Sequence, residues 1–309
     1  MAFFKIFGGS IAVGLLLLFI VSLPMYYELL KTSCIEHKLS ECPAPAPGHS
    51  ALKELGISEL FFASFYTAID IIFAFIFVAV AAVLFFTRSK EAMGLFSSLM
   101  LAIFGITFTD SMVSLYSQYA ILKPFIDLAT FIGLAAFILF FFLFPMGRFR
   151  PAWTIVIPPL LVGVPLLFNM VFGRNELFLA IWLLTCVATL VTFQTYRYRT
   201  VFNTVERHQT KWVVFGCTVA LFGFLLFTVG PLLFSPDYHE VGSPLRHFMT
   251  NIGIRGSLLV IPVTLGIAVF RYRLWDINII INQTMLYGSL TIAVFSIYIL
   301  LLGLWNDQV

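Results

Sequence analysis

Residues 59–86, ELFFASFYTAIDIIFAFIFVAVAAVLFF, decide the class of fold. Only Glu59 and Asp70 are charged in this stretch, and nearly all other positions are apolar. A helix rises about 1.5 Å per residue, so about 20 apolar residues cross a hydrocarbon layer roughly 30 Å thick. Strands of a membrane barrel alternate between apolar and polar residues and are about half as long. The stretch therefore predicts a membrane-spanning helix.

The whole chain has this apolar character. It has 309 residues, of which 61% are hydrophobic and 11% are charged, and its mean hydropathy is +1.00. In soluble domains about a quarter of the residues are charged. The composition therefore predicts one all-α, polytopic membrane domain over residues 1–309. Nine stretches are long and apolar enough to span: 6–29, 59–86, 93–116, 124–144, 153–172, 177–196, 212–234, 250–270 and 285–305. The first exceeds a signal-peptide core and lacks a small-residue cleavage site, so we interpret it as a retained span.

The distribution of basic residues predicts the orientation. Lys and Arg are enriched in the cytoplasmic loops of membrane proteins. With a cytoplasmic N-terminus, the inner segments hold eleven basic residues and the outer segments hold six, counted over the loops between the nine predicted spans. We therefore expect an N-terminus inside, an outer loop over residues 31–58, and cytoplasmic loops over residues 197–211 and 271–284. The net charge of +3 follows from this topology and gives no nucleic-acid signal.

Four charged residues fall inside predicted spans: Asp70, Asp110, Asp127 and Arg255. A charge at the bilayer centre costs about 2.5–3.5 kcal/mol on the insertion scale, so such residues pair with one another or face water. Arg255 is the one cation within the spans, and a carboxylate is its expected partner. We expect Asp110, Asp127 and Arg255 near the outer surface and Asp70 deeper. Two interpretations stay open, a structural ion pair and an outward-facing ligand pocket, and Asp127 could also favour the start of its helix.

Two outer segments carry further candidate residues. Cys34 and Cys42 lie in the 31–58 loop, where a disulfide and two free thiols are both compatible with the sequence. Metal binding through these cysteines and His37 is disfavoured, because a zinc site usually needs a fourth ligand. Residues 235–247 contain His239, which could sense pH, although a simply solvated loop is the favoured interpretation.

The sequence carries no pattern for catalysis. A Walker loop, HExxH and GxSxG are all absent, so we expect no catalytic residues, no metal and no cofactor. A Schiff-base lysine is disfavoured because every Lys lies at the end of a span or in a loop. A small-solute transporter is harder to exclude, since its sites are also built from intramembrane charges. A purely structural membrane domain is a further possibility. Matching interrupted helices in two halves of the chain, which would favour a transporter, are not seen in the sequence.

Three predicted cytoplasmic stretches resemble motifs of a known family. They are residues 144–153 (FPMGRFRPAW), 207–216 (RHQTKWVVFG) and 271–284 (RYRLWDINIIINQT). They are similar to FPDGRFxPRW, RQQTKWVVFG and RYRLWDIDIIINRTLVYG in the multi-span N-terminal sensor region of bacterial membrane histidine kinases, related in layout to competence-type peptide-sensing kinases. Residues 55–70 and 93–96 also resemble that region. The likeness covers nearly the whole chain, and its specificity rests on the order and spacing of the motifs.

The resemblance implies a sensor in a bacterial cytoplasmic membrane. It implies an extracellular or lipid-borne ligand, a homodimer, and a response regulator reached only through a kinase domain, which does not follow residue 305 in this chain. The third motif would couple the bundle to the output through Arg271, Arg273, Trp275 and Asp276. Nine spans from an inner N-terminus leave Val309 outside, so we expect a sensor cut before a tenth span.

Four departures from the motifs concern charge. His208 replaces a glutamine, Met146 and Asn278 replace acidic residues, and Gln283 replaces a basic one. His208 also lacks the helix context of a phosphoacceptor, so we do not expect it to be phosphorylated. A charged contact across the cytoplasmic face that depended on the other three positions would be absent from this chain.

Overall fold

The computed structural model describes residues 2–32, 58–173, 175–202, 204–234 and 244–271, and within these ranges it is all-helical, without strands. Nine α-helices follow in chain order: α1 (Ala2–Thr32), α2 (Glu59–Arg88), α3 (Ala92–Thr107), α4 (Ser111–Gln118), α5 (Lys123–Leu143), α6 (Ile157–Phe172), α7 (Glu176–Thr200), α8 (Thr204–Phe234) and α9 (Pro244–Arg271). Short 3-10 helices at Ala120–Leu122 and Ala152–Val156 precede α5 and α6. The prediction of an all-α fold is confirmed.

Among the described residues, six helices are long and apolar enough to cross a membrane: α1, α2, α5, α7, α8 and α9. Two further apolar segments, Ala92–Thr107 and Ala152–Phe168, are shorter. The protein therefore has the character of a multi-pass membrane protein. Of the nine predicted spans, the ninth, residues 285–305, lies outside the described residues, so the predicted number is not reached within them.

The third predicted span, residues 93–116, is wrong as one continuous helix. Its helix α3 ends at Thr107 and α4 begins at Ser111. Sixteen residues of α3 extend only about 24 Å, which is less than the hydrocarbon thickness. The cause is the local sequence, since Thr107 to Ser111 reads TFTDS, and Ser, Thr and Asp favour caps and turns over helix interiors.

The predicted 197–211 cytoplasmic loop is mostly helical. Helix α7 continues to Thr200 and α8 begins at Thr204, so only residues 201–203 separate them. Arg207 donates from Nη2 to the carbonyl of Arg199 in the last turn of α7. A cation at a helix C-terminus stabilises the exposed carbonyl groups. The polar composition that suggested a loop is instead that of two helix ends meeting.

The contact between α8 and α9 is an antiparallel helix pair built on small residues. In the α8/α9 pair, Gly216 faces Thr264, Gly223 faces Ser257, and Gly253 faces Phe227. In an antiparallel pair that keeps its register, the numbers of facing residues have a constant sum. Here each pair adds to 480, so α8 and α9 stay in register over about three turns. Small residues let two backbones approach closely. The α8/α9 pair is therefore expected to behave as one unit.

Helix α2 is the centre of the remaining bundle. It packs antiparallel to α1 and to α3, where Gly105 lies against Phe77. It runs parallel to α9, from the ring pair Phe62–Phe248 at one end to Val80 and Gly266 at the other. Helix α5 packs on the opposite side of α3, where the rings of Phe104 and Phe137 stack with their centroids 4.4 Å apart. Because α2 touches α1, α3 and α9, a polar residue on it can meet partners from several helices.

Candidate functional site

The candidate site is an ion cluster of Asp70, Asp110 and Arg255. Nη2 of Arg255 lies 2.7 Å from Oδ1 of Asp70 and 2.8 Å from Oδ2 of Asp110. Asp70 is fully buried, the Arg255 side chain is 6% exposed, and the Asp110 side chain is 29% exposed. The cluster therefore joins α2, α9 and the break between α3 and α4, and one carboxylate has access to the surface.

The register of α2 and α9 sets the depth of the cluster. Asp70 follows Glu59 by eleven residues, and Arg255 follows Pro244 by eleven residues. Both side chains therefore start roughly 16 Å from the beginnings of their helices. We expected Arg255 nearer the surface than Asp70. That expectation is wrong, because α9 begins at Pro244, six residues before the start of the predicted span at residue 250.

Asp70 also holds the first turn of α4. Its Oδ2 accepts a hydrogen bond from the backbone N–H of Ser111 at 2.8 Å. The first N–H groups of a helix have no intrahelical acceptor and carry partial positive charge, so a carboxylate there is stabilising. Asp110 occupies the N-cap position of α4, but its own side chain makes no capping bond. Asp70 supplies this cap from another helix, which leaves Asp110 free to pair with Arg255.

Arg255 has a third partner on its own helix. Its Nη1 donates to Oδ1 of Asn251, one turn earlier in α9. Its Nε is buried and has no hydrogen-bond acceptor among the described residues. The guanidinium group is thus fixed from three sides. Two carboxylates face one guanidinium, so the cluster carries one net negative charge when all three groups are ionised.

Hydroxyl groups extend the polar region through the helix break. Ser111 donates from Oγ to Oγ1 of Thr109 at 3.1 Å, and Thr109 donates to the carbonyl of Ile106 at 2.6 Å. Ser114 donates to the carbonyl of Ser111 at 2.6 Å and that of Ser22 on α1 at 3.2 Å. These bonds pair the hydroxyl groups of the break with oxygen acceptors, so the hydroxyls are not left without partners in an apolar environment.

Aromatic side chains cover the cluster on the side of the α2 and α9 N-termini. The ring centroid of Phe248 lies 5.4 Å from that of Tyr66 and 4.7 Å from that of Phe65. Tyr26 of α1 is fully buried in the same group and interacts electrostatically with all three members of the ion cluster. Its hydroxyl has no hydrogen-bond partner among the described residues. The covering layer is therefore aromatic, and the hydroxyls of Tyr26 and Tyr66 are polar groups within it.

The fourth predicted charge, Asp127, does not join this cluster. It is exposed on α5, just beyond the first turn, and within the described residues no salt bridge involves it. Cys34, Cys42, His37, Arg273, Trp275 and Asp276 all lie outside the described residues, as does His239. Arg271 is the last residue of α9. The structure thus brings together three of the four predicted intramembrane charges.

Sequence reasoning missed several residues around the cluster. Asn251 could have been recognised from its i, i+4 spacing to Arg255, which places both on one helix face. Ser111 could have been suspected from the TFTDS turn signal inside an apolar stretch. Nothing in the sequence singles out Tyr26 among the tyrosines, because its position depends on the packing of α1 against α2.

A second buried cation lies at the opposite end of the bundle. Arg197 is fully buried, and its Nη1 donates to the carbonyls of Phe141 at 3.2 Å and Phe142 at 2.5 Å, in the last turn of α5. Its guanidinium also lies 5.5 Å from the ring of Phe202. Gly147 then turns the chain in a left-handed conformation, φ 70°, and donates to the carbonyl of Leu143 at 2.8 Å. Arg197 therefore closes the helix that leads into the 144–153 stretch.

The described residues offer no other constellation for chemistry. Groups of three or more His, Cys, Asp or Glu side chains that could hold a metal ion are absent from them. Cys186 and Cys217 lie within α7 and α8, half-buried and buried, respectively. A guanidinium bridging two carboxylates at a helix break can bind a charged ligand, exchange one partner for another, or fix packing. No protein-family model, curated protein or solved structure matches this chain.

Proposed function

We propose that the chain is the membrane sensor module of a two-component histidine-kinase-type receptor. In this proposal the ion cluster detects an outer or lipid-borne signal, and α9 transmits it to the other end of the bundle. The observation that carries the proposal is that Arg255, through two ion pairs, connects α9 to both α2 and the helix break. The resemblance of residues 144–153, 207–216 and 271–284 to kinase sensor motifs supports the assignment.

The proposed transmission uses the difference between two helix contacts. The small-residue pairs hold α8 and α9 together along three turns, whereas α9 and α2 share the ion pair and a few apolar contacts. A ligand that competes with Arg255 for the carboxylates, or with the carboxylates for Arg255, would weaken the second contact and leave the first intact. The α8/α9 pair would then slide or rotate against α2, which is a common form of switching motion. Sixteen residues separate Arg255 from Arg271, so the motion would be carried roughly 24 Å along α9.

The proposed setting follows from the topology and the resemblance. The N-terminus would be cytoplasmic in a bacterial inner membrane, because basic residues concentrate at that end of the predicted spans. The cluster would then lie toward the outer surface, where Asp110 is partly exposed. A homodimer, and a response regulator contacted through a kinase domain, are the partners that the family layout implies.

A chimera tests the sensor proposal. A histidine kinase core is joined after residue 309 through one added spanning helix, and autophosphorylation is measured in membranes for the wild type, Arg255→Gln and the control Asp127→Asn. Coupling energies between sites of about 1–3 kcal/mol correspond to 5–150-fold changes. We expect Arg255→Gln to change basal autophosphorylation by at least fivefold and Asp127→Asn to leave it unchanged. Equal autophosphorylation of all three well-inserted chimeras would contradict the proposal.

The helix break favours a second candidate function, a small-solute secondary transporter. Transporters often place substrate or ion sites at discontinuous helices, and the α3/α4 break contacts both carboxylates of the cluster. Uptake by proteoliposomes distinguishes this candidate. Accumulation of a solute that disappears in Arg255→Ala, with Asp127→Ala active, would favour transport over sensing.

A further inference from the structure

We propose that the ion cluster binds one monovalent cation, H⁺ or Na⁺, at the carboxylates of Asp70 and Asp110. This inference rests on the proposed function for its consequence, since it names a ligand of the same site. The first argument is charge. Both carboxylates share a single nitrogen of Arg255, at 2.7 and 2.8 Å, so one negative charge is uncompensated in a largely buried position. Buried charge of this kind is costly unless a counter-charge is bound.

The second argument is a set of buried polar atoms without partners. The Tyr26 hydroxyl and the Thr67 hydroxyl have no hydrogen-bond partner among the described residues, although both atoms are buried. Tyr26 interacts electrostatically with Asp70, Asp110 and Arg255. Thr67 precedes Asp70 by three residues and so lies on the same face of α2. Buried polar atoms are nearly always satisfied in native proteins, and a bound cation or its water would satisfy these two.

The chemistry of the donors selects the class of ligand. The available atoms are carboxylate and hydroxyl oxygens, which prefer protons and hard cations. A divalent ion would leave a positive excess beside Arg255, whereas one positive charge brings the cluster to neutrality. Asp110, with 29% of its side chain exposed, provides the access from outside. The same oxygens could take H⁺ or Na⁺, and the experiment separates the two.

The cluster is surrounded by few other titratable groups. From α1 it is faced by Tyr26, from α2 by Tyr66, from α4 by Tyr116 and from α9 by Arg255, and each of the three tyrosines interacts electrostatically with Asp110. Tyr116 also interacts with Asp127 of α5, which itself lies outside the cluster. A tyrosine loses its proton about six pH units above an aspartate. The tyrosines therefore keep their protons over the pH range of the test, and the two carboxylates are the groups proposed to bind the cation. Neutralising either carboxylate would remove one of the two ion pairs that connect Arg255 to α2 and to the helix break.

The test uses the full chain in lipid nanodiscs and reads the thermal unfolding midpoint. Na⁺ is titrated against choline at constant ionic strength, and the pH is lowered from mildly alkaline to mildly acidic without Na⁺. A ligand at about 100-fold its dissociation constant should raise the midpoint by about 5 °C. Asp110→Asn removes the uncompensated charge, so it should abolish the response. Asp127→Asn is the matched control, because it removes an exposed carboxylate outside the cluster, and it should keep the response.

The outcomes separate the two cations and the null result. A Na⁺-dependent rise lost in Asp110→Asn and reduced in Tyr26→Phe identifies Na⁺. A rise with falling pH that is independent of Na⁺, and that is lost only in Asp110→Asn, identifies H⁺. A wild-type midpoint that responds to neither Na⁺ nor pH, or an equal response in Asp110→Asn, would overturn the inference, and so would loss of the response in Asp127→Asn. The kinase chimera is not used, so cation binding and signal output can fail independently.

Discussion

The ion cluster predicts a definite ranking of three substitutions. Arg255→Gln leaves two carboxylates side by side, one of them fully buried, and loss of one partner from a buried pair costs about 3–5 kcal/mol. Asp70→Asn should cost less, about 2–3 kcal/mol, which is the size of one lost hydrogen bond to a charged group. The cost is smaller because Arg255 keeps Asp110 and the Asn oxygen can still accept from Ser111. Asp110→Asn should cost at most about 1 kcal/mol, since its side chain is 29% exposed and solvent screens the pair.

The assay is reversible unfolding in mixed micelles, followed by loss of helical circular dichroism. The free energy of unfolding is compared among wild type, the three single variants and the double variant Asp70→Asn/Arg255→Gln. Residues in direct contact show coupling of about 0.5–3 kcal/mol in such cycles. We expect the double variant to be less destabilised than the sum of the two single variants. Additive effects, or a cost of Asp110→Asn equal to that of Arg255→Gln, would refute the description of one guanidinium shared unequally by two carboxylates.

Two further predictions concern packing and helix ends. Gly105→Ala should destabilise the bundle by about 1–3 kcal/mol in thermal unfolding, because the new Cβ would lie 2.2 Å from Cβ of Phe77, an atom fixed to the backbone. Gly163→Ala is the control, because its new Cβ meets open space, and it should be neutral or stabilising. Arg197→Met should cost about 1.5–3 kcal/mol by removing charged hydrogen bonds to the end of α5, whereas Arg148→Met, at an exposed position, should change the unfolding midpoint little; equal effects in either pair would contradict the packing described.

The sequence predicted the long apolar helices and the three charged residues that form the ion cluster, with particular errors. Long apolar runs such as residues 59–86 and 212–234 fall within single helices, because hydrogen bonding inside the segment is obligatory in lipid. Residues 93–116 do not form a single helix, because the TFTDS turn interrupts a stretch whose mean hydropathy is high. The 197–211 stretch is polar and yet mostly helical, since its charged residues lie at the ends of two helices.

The candidate site was predictable in its members and only partly in its geometry. Charges are rare in spans, so composition alone singled out Asp70, Asp110, Asp127 and Arg255. Which carboxylates meet the cation depends on the parallel register of α2 and α9, with Asp70 opposite Arg255. Asp127 has the same chemistry as Asp110 but lies on an exposed face of α5.

By itself, the sequence determined that the protein is helical and suited to a membrane, because both follow from the lengths and polarity of local segments. The tertiary structure decided that a carboxylate on α2 caps α4, that one guanidinium serves two aspartates, and that α8 and α9 form a close pair. These features join residues 26 to 185 positions apart, and no local pattern specifies which distant side chain will occupy a given place. Packing resolves that choice, since few arrangements satisfy the buried charges and the close glycine contacts together.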